Sequence, residues 1–358
     1  MTRLPFCSTP GIVPDSSSGA AFDRANTWLN HCLKNHASCA TDTDGTSEHT
    51  PRRLLKVPQM EQPEQERVLL VEDPPKGVPY AALSYCWGSE PTGVIRTLRA
   101  NKATHATAGI PLRSLPKTIQ DAVLVCARLG LAYVWIDALC IVQDDAADWD
   151  REARLMKTVY RGSRLTVAAH AAKSCRDGLG KPAVRPPAPS VLDTRGWTLQ
   201  EALLPRRTLH FTGREMAWEC DEAHLCECGH VEGLMFGEAY PMVRTEWRRN
   251  ASAPRGGASG DGGWVTLVKR YSRRQLTRGS DKLIAIAGIA ELVENMKRAA
   301  DSEEAYWAGI FRSGLPAQLL WAVQDEDELR SRGIGVPSIR PQPYRAPTWS
   351  WASVDGPV

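Results

Sequence analysis

The sharpest chemical pairing in the sequence is a carboxylate four residues beyond an indole, Trp197 and Glu201, within Arg195-Gly196-Trp197-Thr198-Leu199-Gln200-Glu201. On a helix, residues at that spacing share a face, so the two side chains can line one pocket. A second segment, Leu83-Ser84-Tyr85-Cys86-Trp87-Gly88, offers two hydroxyls and another indole at the end of an apolar run. Ligands of open α/β sheets bind at such strand ends, although a hydroxyl there also serves as a cap. A third segment, Trp135 to Gln143, carries Asp137 inside an apolar stretch. A buried carboxylate needs a partner or a job. Arg195, Arg161 and Gln143 are the candidate partners, and Glu201 has Arg206 and Arg207 nearby as structural alternatives to catalysis.

Other constellations carry less. Cys32-x3-His36-x2-Cys39 and Cys220-x5-Cys226-x-Cys228-x-His230 together hold enough ligands for a zinc site. Their spacings match no standard zinc knuckle, so no metal is assigned. Cys140 and His170 imitate a thiol-protease pair, but both lie in apolar runs with no oxyanion-hole signal beside them. No GxGxxG follows a strand. The basic stretch from Arg244 to Lys282 reads as a solvated face.

These residues must be positioned by a chain of 358 residues, long enough for two domains or for one elaborated α/β domain. Apolar residues at 42% and charged residues at 24% exclude a wholly disordered chain. A formal charge of +3 gives no general reason to expect nucleic acid or an anionic membrane as partner. Met1 to Pro14 lacks the apolar core of a signal peptide, and the apolar run Leu131 to Val142 is too short to span a bilayer. A soluble, cytoplasmic protein is expected. Cys86, Cys126 and Cys140, which sit in apolar runs, then read as small buried hydrophobes and not as disulfide partners.

Apolar periodicity predicts a helix within Phe22–Leu33 and strands at Arg53–Val57, Arg67–Val71 and Ala81–Trp87. Leu115-Pro116 opens a helix with Ile119, Ala122, Val123, Cys126 and Leu129 on its apolar face, and Gly130 stops it. Ala132 to Val142 follows as a nearly continuous apolar strand, then a helix over Trp149–Tyr160 and a strand at Leu165–Ala169. Strand, helix, strand, helix, strand predicts a parallel sheet. Lys181–Ser190 is a proline-rich loop, Gly196–Leu204 a short helix, and Thr208–Phe211 with Glu215–Glu219 a hairpin. Residues 250–263 form a Gly/Ser-rich insert, Asp281 caps a long helix, and Pro347–Val354 is strand-like.

The three chemical segments, in this order and spacing, resemble the fungal heterokaryon-incompatibility (HET) domain family. The resemblance extends through Leu115-Pro116, Met156, Tyr160, Trp218-Glu219-Cys220 and Trp349-Ser350-Trp351-Ala352-Ser353. It implies an effector of programmed cell death after fusion of unlike fungal cells. A fainter resemblance links Ser163-Arg164-Leu165-Thr166-Val167 and Trp197-x-x-x-Glu201 to the TIR domain, whose NAD-cleaving members use a Glu four residues after a Trp.

The TIR resemblance implies an NAD glycohydrolase with Glu201 as catalytic residue. Ser84, Tyr85, Trp87, Gly88, Asp137, Arg195 and Trp197 would then bind the substrate. Nicotinamide leaves as a neutral base, so no general acid is required, and one carboxylate can hold the ribose and stabilise its cationic transition state. NAD is then a substrate, and no cofactor is expected. The alternatives are a non-catalytic TIR-like assembly module and a HET-fold enzyme recruited to small-molecule metabolism.

The expected architecture is α/β, a TIR-like or flavodoxin-like parallel sheet over residues 80–220. Residues 1–79 form an N-terminal extension and 221–358 a C-terminal elaboration. Expected partners are NAD or another small molecule, a separate sensor protein and a second copy of the chain, with neither nucleic acid nor membrane. If the strands are parallel, Ser84–Gly88, Asp137 and Trp197–Glu201 emerge on one edge of the sheet.

Overall fold

The apolar run at 81–84 becomes the centre of the structure, a computed structural model that describes residues 11–40, 50–59, 66–88, 94–180, 190–228, 263–298, 303–324 and 339–358. The chain divides into two compact units: Met1–Leu192 with Leu204–Pro241, and Asp193–Leu203 with Met242–Val358.

The first unit is built on a nine-stranded mixed sheet. Its strands in chain order are β1 (Arg53–Lys56), β2 (Arg67–Glu72), β3 (Ala81–Ser84), β4 (Ile110–Pro111), β5 (Tyr133–Trp135), β6 (Leu165–Ala169), β7 (Arg207–Phe211), β8 (Met216–Cys220) and β9 (His224–Cys226). Across the sheet they run β4-β2-β1-β5-β3-β6-β7-β8-β9. β3 pairs in parallel with both β5 and β6, and β6 in parallel with β7. The four parallel strands therefore lie second, first, third, fourth in chain order, the flavodoxin-like order as far as its fourth strand. β1, β2 and β4 extend one side antiparallel, so residues 53–72 join the same sheet as the central strands. β8 and β9 extend the other. All residues of β3, β6 and β7 are buried, which explains why the first two read as unbroken apolar runs instead of alternating ones.

Helix α1 (Gly19–Asn35) buries Phe22, Ala25, Leu29 and Cys32, and α2 (Ala37–Ala40) follows it. After α3 (Lys102–Thr107) comes α4 (Lys117–Arg128), which starts after Pro116 and buries Ile119, Ala122, Val123 and Cys126. Gly130 follows at φ +70°, a conformation that suits the stop signal. The stretch 132–142 departs from expectation. Only Tyr133–Trp135 is strand, and α5 (Asp137–Cys140) takes the rest, with the Cys140 N–H donating to Ile136 O at 2.7 Å. Both elements are buried, and an unbroken apolar run does not distinguish strand from buried helix. α6 (Ala146–Gly162) is capped by Asp145, whose carboxylate accepts from the Ala147 and Asp148 N–H groups.

The second unit contains α7 (Thr198–Leu203), α8 (Trp264–Tyr271), α9 (Ile284–Arg298) and a small antiparallel pair, β10 (Tyr306–Trp307) with β11 (Ile310–Phe311). Gln200 ties α7 to α9, donating to Ile284 O and accepting from the Gly288 N–H at 3.0 Å. The Trp264 and Trp351 indoles both donate to Gly309 O at 2.8 Å. The expected terminal strand is absent: Trp351–Ser353 is a 3-10 turn, because the Ser350 hydroxyl accepts the Ala352 N–H and starts it. Of the expected loops at 181–190 and 250–263, residues 181–189 and 250–262 lie outside the described residues. No described helix is long and apolar enough to cross a membrane.

Candidate functional site

The carboxyl ends of β3 and β5 are neighbours because the strands are parallel, and this brings two of the three sequence segments together. Ser84 ends β3, buried. Tyr85 is buried beyond it, and Trp87 and Gly88 follow half-buried. The Trp87 indole N–H donates to Asp137 Oδ2 at 3.0 Å. Asp137 is the first residue of α5, not part of a strand, and its Oδ1 accepts the Ala138 N–H at 2.7 Å. Gln143, expected on the carboxylate, donates instead to the Asp137 carbonyl at 3.0 Å. An indole is thus fixed against a half-exposed carboxylate at the edge where open sheets collect ligands.

Gly88 closes the segment at φ +104°, and a Cβ there would lie 3.0 Å from Ser174 Cβ. Only glycine combines that backbone with that close approach. The loop after β6 also reaches the start of α4, where the Thr118 N–H donates to Cys175 O at 2.9 Å and the Thr118 hydroxyl to Ser174 O.

Below the edge lies a buried ionic knot. Arg53, 2% exposed, donates to the Asp148 carboxylate and to Cys140 O at 2.6 Å, with Glu152 at 3.5 Å. Burial works to raise the Asp148 carboxyl, but the Val142 N–H and Arg53 hold it below its ordinary value. For Glu152 burial prevails and raises it. Arg53 thereby fixes the turn that presents Asp137. Cys140 in the same turn is fully buried, and burial pushes its thiol up to about 12, which leaves no thiolate for nucleophilic chemistry.

Arg195, Trp197 and Glu201 belong to the second unit. The backbone at Arg195 bridges Gln275, the Trp197 indole donates to Asp281 Oδ2 at 3.3 Å, and Glu201 lies 8% exposed in α7. Arg274 donates to Arg195 O and to Thr198 Oγ1, both at 3.1 Å, and approaches Asp193 at 3.7 Å.

The structure also joins polar residues that the sequence did not place together. His170, just beyond β6, shares a proton with His210 of β7 (Nε2 to Nδ1, 2.9 Å) and meets Ser190 Oγ at 2.8 Å through Nδ1. His210 lies 3.4 Å from the Glu219 carboxylate on β8. The available signal was a histidine and a glutamate in adjacent apolar strands, each needing a partner. A cavity of about 360 Å³ opens at the end of β7, lined by Phe211, Arg214, Glu215, Met216 and Glu227 among others. The cysteine-rich segments converge too, in a grouping different from the sequence one. Cys32, His36, Cys39 and Cys220 form one cluster, and Glu215, Cys226 and Cys228 another, while His230 lies outside the described residues.

Residues 80–190 match the family model described as Heterokaryon incompatibility protein (HET). No curated protein and no solved structure matches the chain. The matched stretch runs from the start of β3 through β6, and so contains the Trp87–Asp137 contact and the parallel strands that create it. The TIR resemblance finds no support in these comparisons. Residues 80–190 are thus similar to the HET domain of the heterokaryon-incompatibility family.

Proposed function

We propose that the protein is an incompatibility effector that cleaves the nicotinamide–ribose bond of NAD. The HET match supports a function of heterokaryon-incompatibility type. The observation that carries the ligand reading is the Trp87–Asp137 contact: a planar ring and a carboxylate held together at the carboxyl edge of parallel strands. An indole face suits a pyridinium ring, and a carboxylate suits ribose hydroxyls.

In the reaction the C1′–N bond breaks and its electron pair stays on nitrogen, which neutralises the pyridinium. Water attacks C1′ and releases a proton, giving nicotinamide and ADP-ribose. The Trp-x-x-x-Glu resemblance assigns Glu201 to stabilise the ribosyl cation, on the sequence alone and independently of the Trp87–Asp137 contact. The fitting experiment incubates purified full-length protein with NAD and follows nicotinamide release. Wild type should release it, and Glu201→Gln should lose at least about a hundredfold in rate while keeping its fold. No release by well-folded wild type would favour a non-catalytic assembly module.

A further inference from the structure

Three cysteines and a histidine, far apart in sequence, converge outside the matched HET segment. Cys32 lies in the last turn of α1. His36 is that helix's C-cap, its backbone N–H donating to Cys32 O at 3.1 Å. Cys39 sits one turn further on, in α2, where its N–H donates to His36 O at 3.2 Å. Cys220 arrives from the end of β8. The four ligand atoms all lie within 4.8 Å of one another, with His36 Nδ1 3.2 Å from Cys220 Sγ. The three thiols are 0–1% exposed.

We propose that Cys32, His36, Cys39 and Cys220 bind a structural zinc ion. Tetrahedral zinc with Zn–S near 2.3 Å and Zn–N near 2.0 Å separates its ligand atoms by roughly 3.5–3.8 Å, within reach of this cluster. Three cysteines and one histidine form a standard structural ligand set. All four positions come from protein, so none is left open for a catalytic water. A disulfide explains the cluster less well, since it would use two thiols and strand the third beside the imidazole.

The groups around the sulfurs suit thiolates. Arg207 Nε donates to Cys32 Sγ at 3.2 Å, and its Nη2 donates to Cys39 O at 2.6 Å. The Ala223 N–H donates to Cys220 Sγ at 3.2 Å. Three thiolates, a neutral imidazole and a divalent ion carry one net negative charge, which the Arg207 guanidinium balances. Such donors orient and stabilise metal-bound sulfur. Arg207 is in register with Cys220 across the β7–β8 pair, so the sheet itself delivers this partner. The ion would clamp the end of α1 onto the far strands of the sheet. That long-range closure explains why short-range spacing did not reveal the site.

The test uses the full-length chain purified under reducing conditions and dialysed against metal-free buffer. Elemental analysis should find zinc equimolar with protein. A thiol-specific mercurial should release it in step with thiol modification. Cobalt(II) exchanged into the site should show the visible bands of a tetrahedral site and thiolate-to-metal charge transfer. Cys220→Ser and Cys39→Ser should lose the zinc, and the double variant Cys226→Ser/Cys228→Ser should keep it. Folded wild type without zinc and without cobalt–thiolate bands would overturn the proposal. So would zinc lost from the Cys226/Cys228 variant but retained by Cys220→Ser, which would place the ion at the Glu215 cluster. If Cys220→Ser does not fold, the mercurial and cobalt measurements on wild type decide alone.

Discussion

Trp87 and Asp137, fifty residues apart in sequence, are joined by one hydrogen bond of 3.0 Å from indole nitrogen to carboxylate oxygen. The bond links the segment leaving β3 to the helix that follows β5, and these strands are parallel neighbours. It holds both groups half-exposed, the state a binding residue needs and a core residue avoids.

Trp87→Phe keeps most of the aromatic surface and removes the donor. The Asp137 carboxylate retains the Ala138 N–H and gains water, so the cost should be about 1–2 kcal/mol in urea unfolding. Asp137→Asn should cost less than Asp137→Ala, because an amide oxygen still accepts from the indole. A Trp87→Phe change under about 0.5 kcal/mol would mean that water substitutes fully for the indole.

Arg53→Met removes the buried cation that two buried carboxylates share and leaves them only the partly exposed Arg151. Asp148 and Glu152 are then left without it in the interior, at a cost of about 3–5 kcal/mol. Replacing both carboxylates as well, by Leu at 148 and Met at 152, should recover much of the loss, since a packed apolar knot needs no counter-charge. Chemical denaturation of the single and triple variants measures this directly; equal stabilities would refute the ionic account.

Asp193 sets a pH dependence. Burial raises its carboxyl to about 6 from an ordinary 3.8, against the opposing pull of Arg274. The folded state therefore favours the protonated acid. The associated stability is present in full below about pH 4 and is lost as pH rises through about 6. Asp193→Asn removes that slope. It should equal wild type near pH 4 and exceed it above pH 6, by on the order of 2 kcal/mol. Thermal unfolding of both proteins from pH 4 to 7 gives the curve, and a constant gap between them would contradict it.

The sequence by itself determined the local elements wherever period and punctuation agreed. Pro116 and Gly130 bracket α4 because one starts a helix without needing its N–H and the other leaves it at positive φ. Leu165–Ala169 is a buried strand as read, and the family motifs in 80–190 were legible as residues in order. The extent of β5 was not legible. A uniformly apolar run carries no period, and only the Ile136 carbonyl, accepting the Cys140 N–H, shows that the chain turns there.

Tertiary structure decided what meets what. Strand order alone places Trp87 beside Asp137, and the β7–β8 register sets Arg207 beside Cys220. The grouping of Cys220 with Cys32, His36 and Cys39, instead of with Cys226 and Cys228, depends on a helix packed against a strand more than half the chain away. Spacing rules encode only contacts that one element can make with itself. Contacts closed by a sheet depend on its strand order, which the burial of every element together selects.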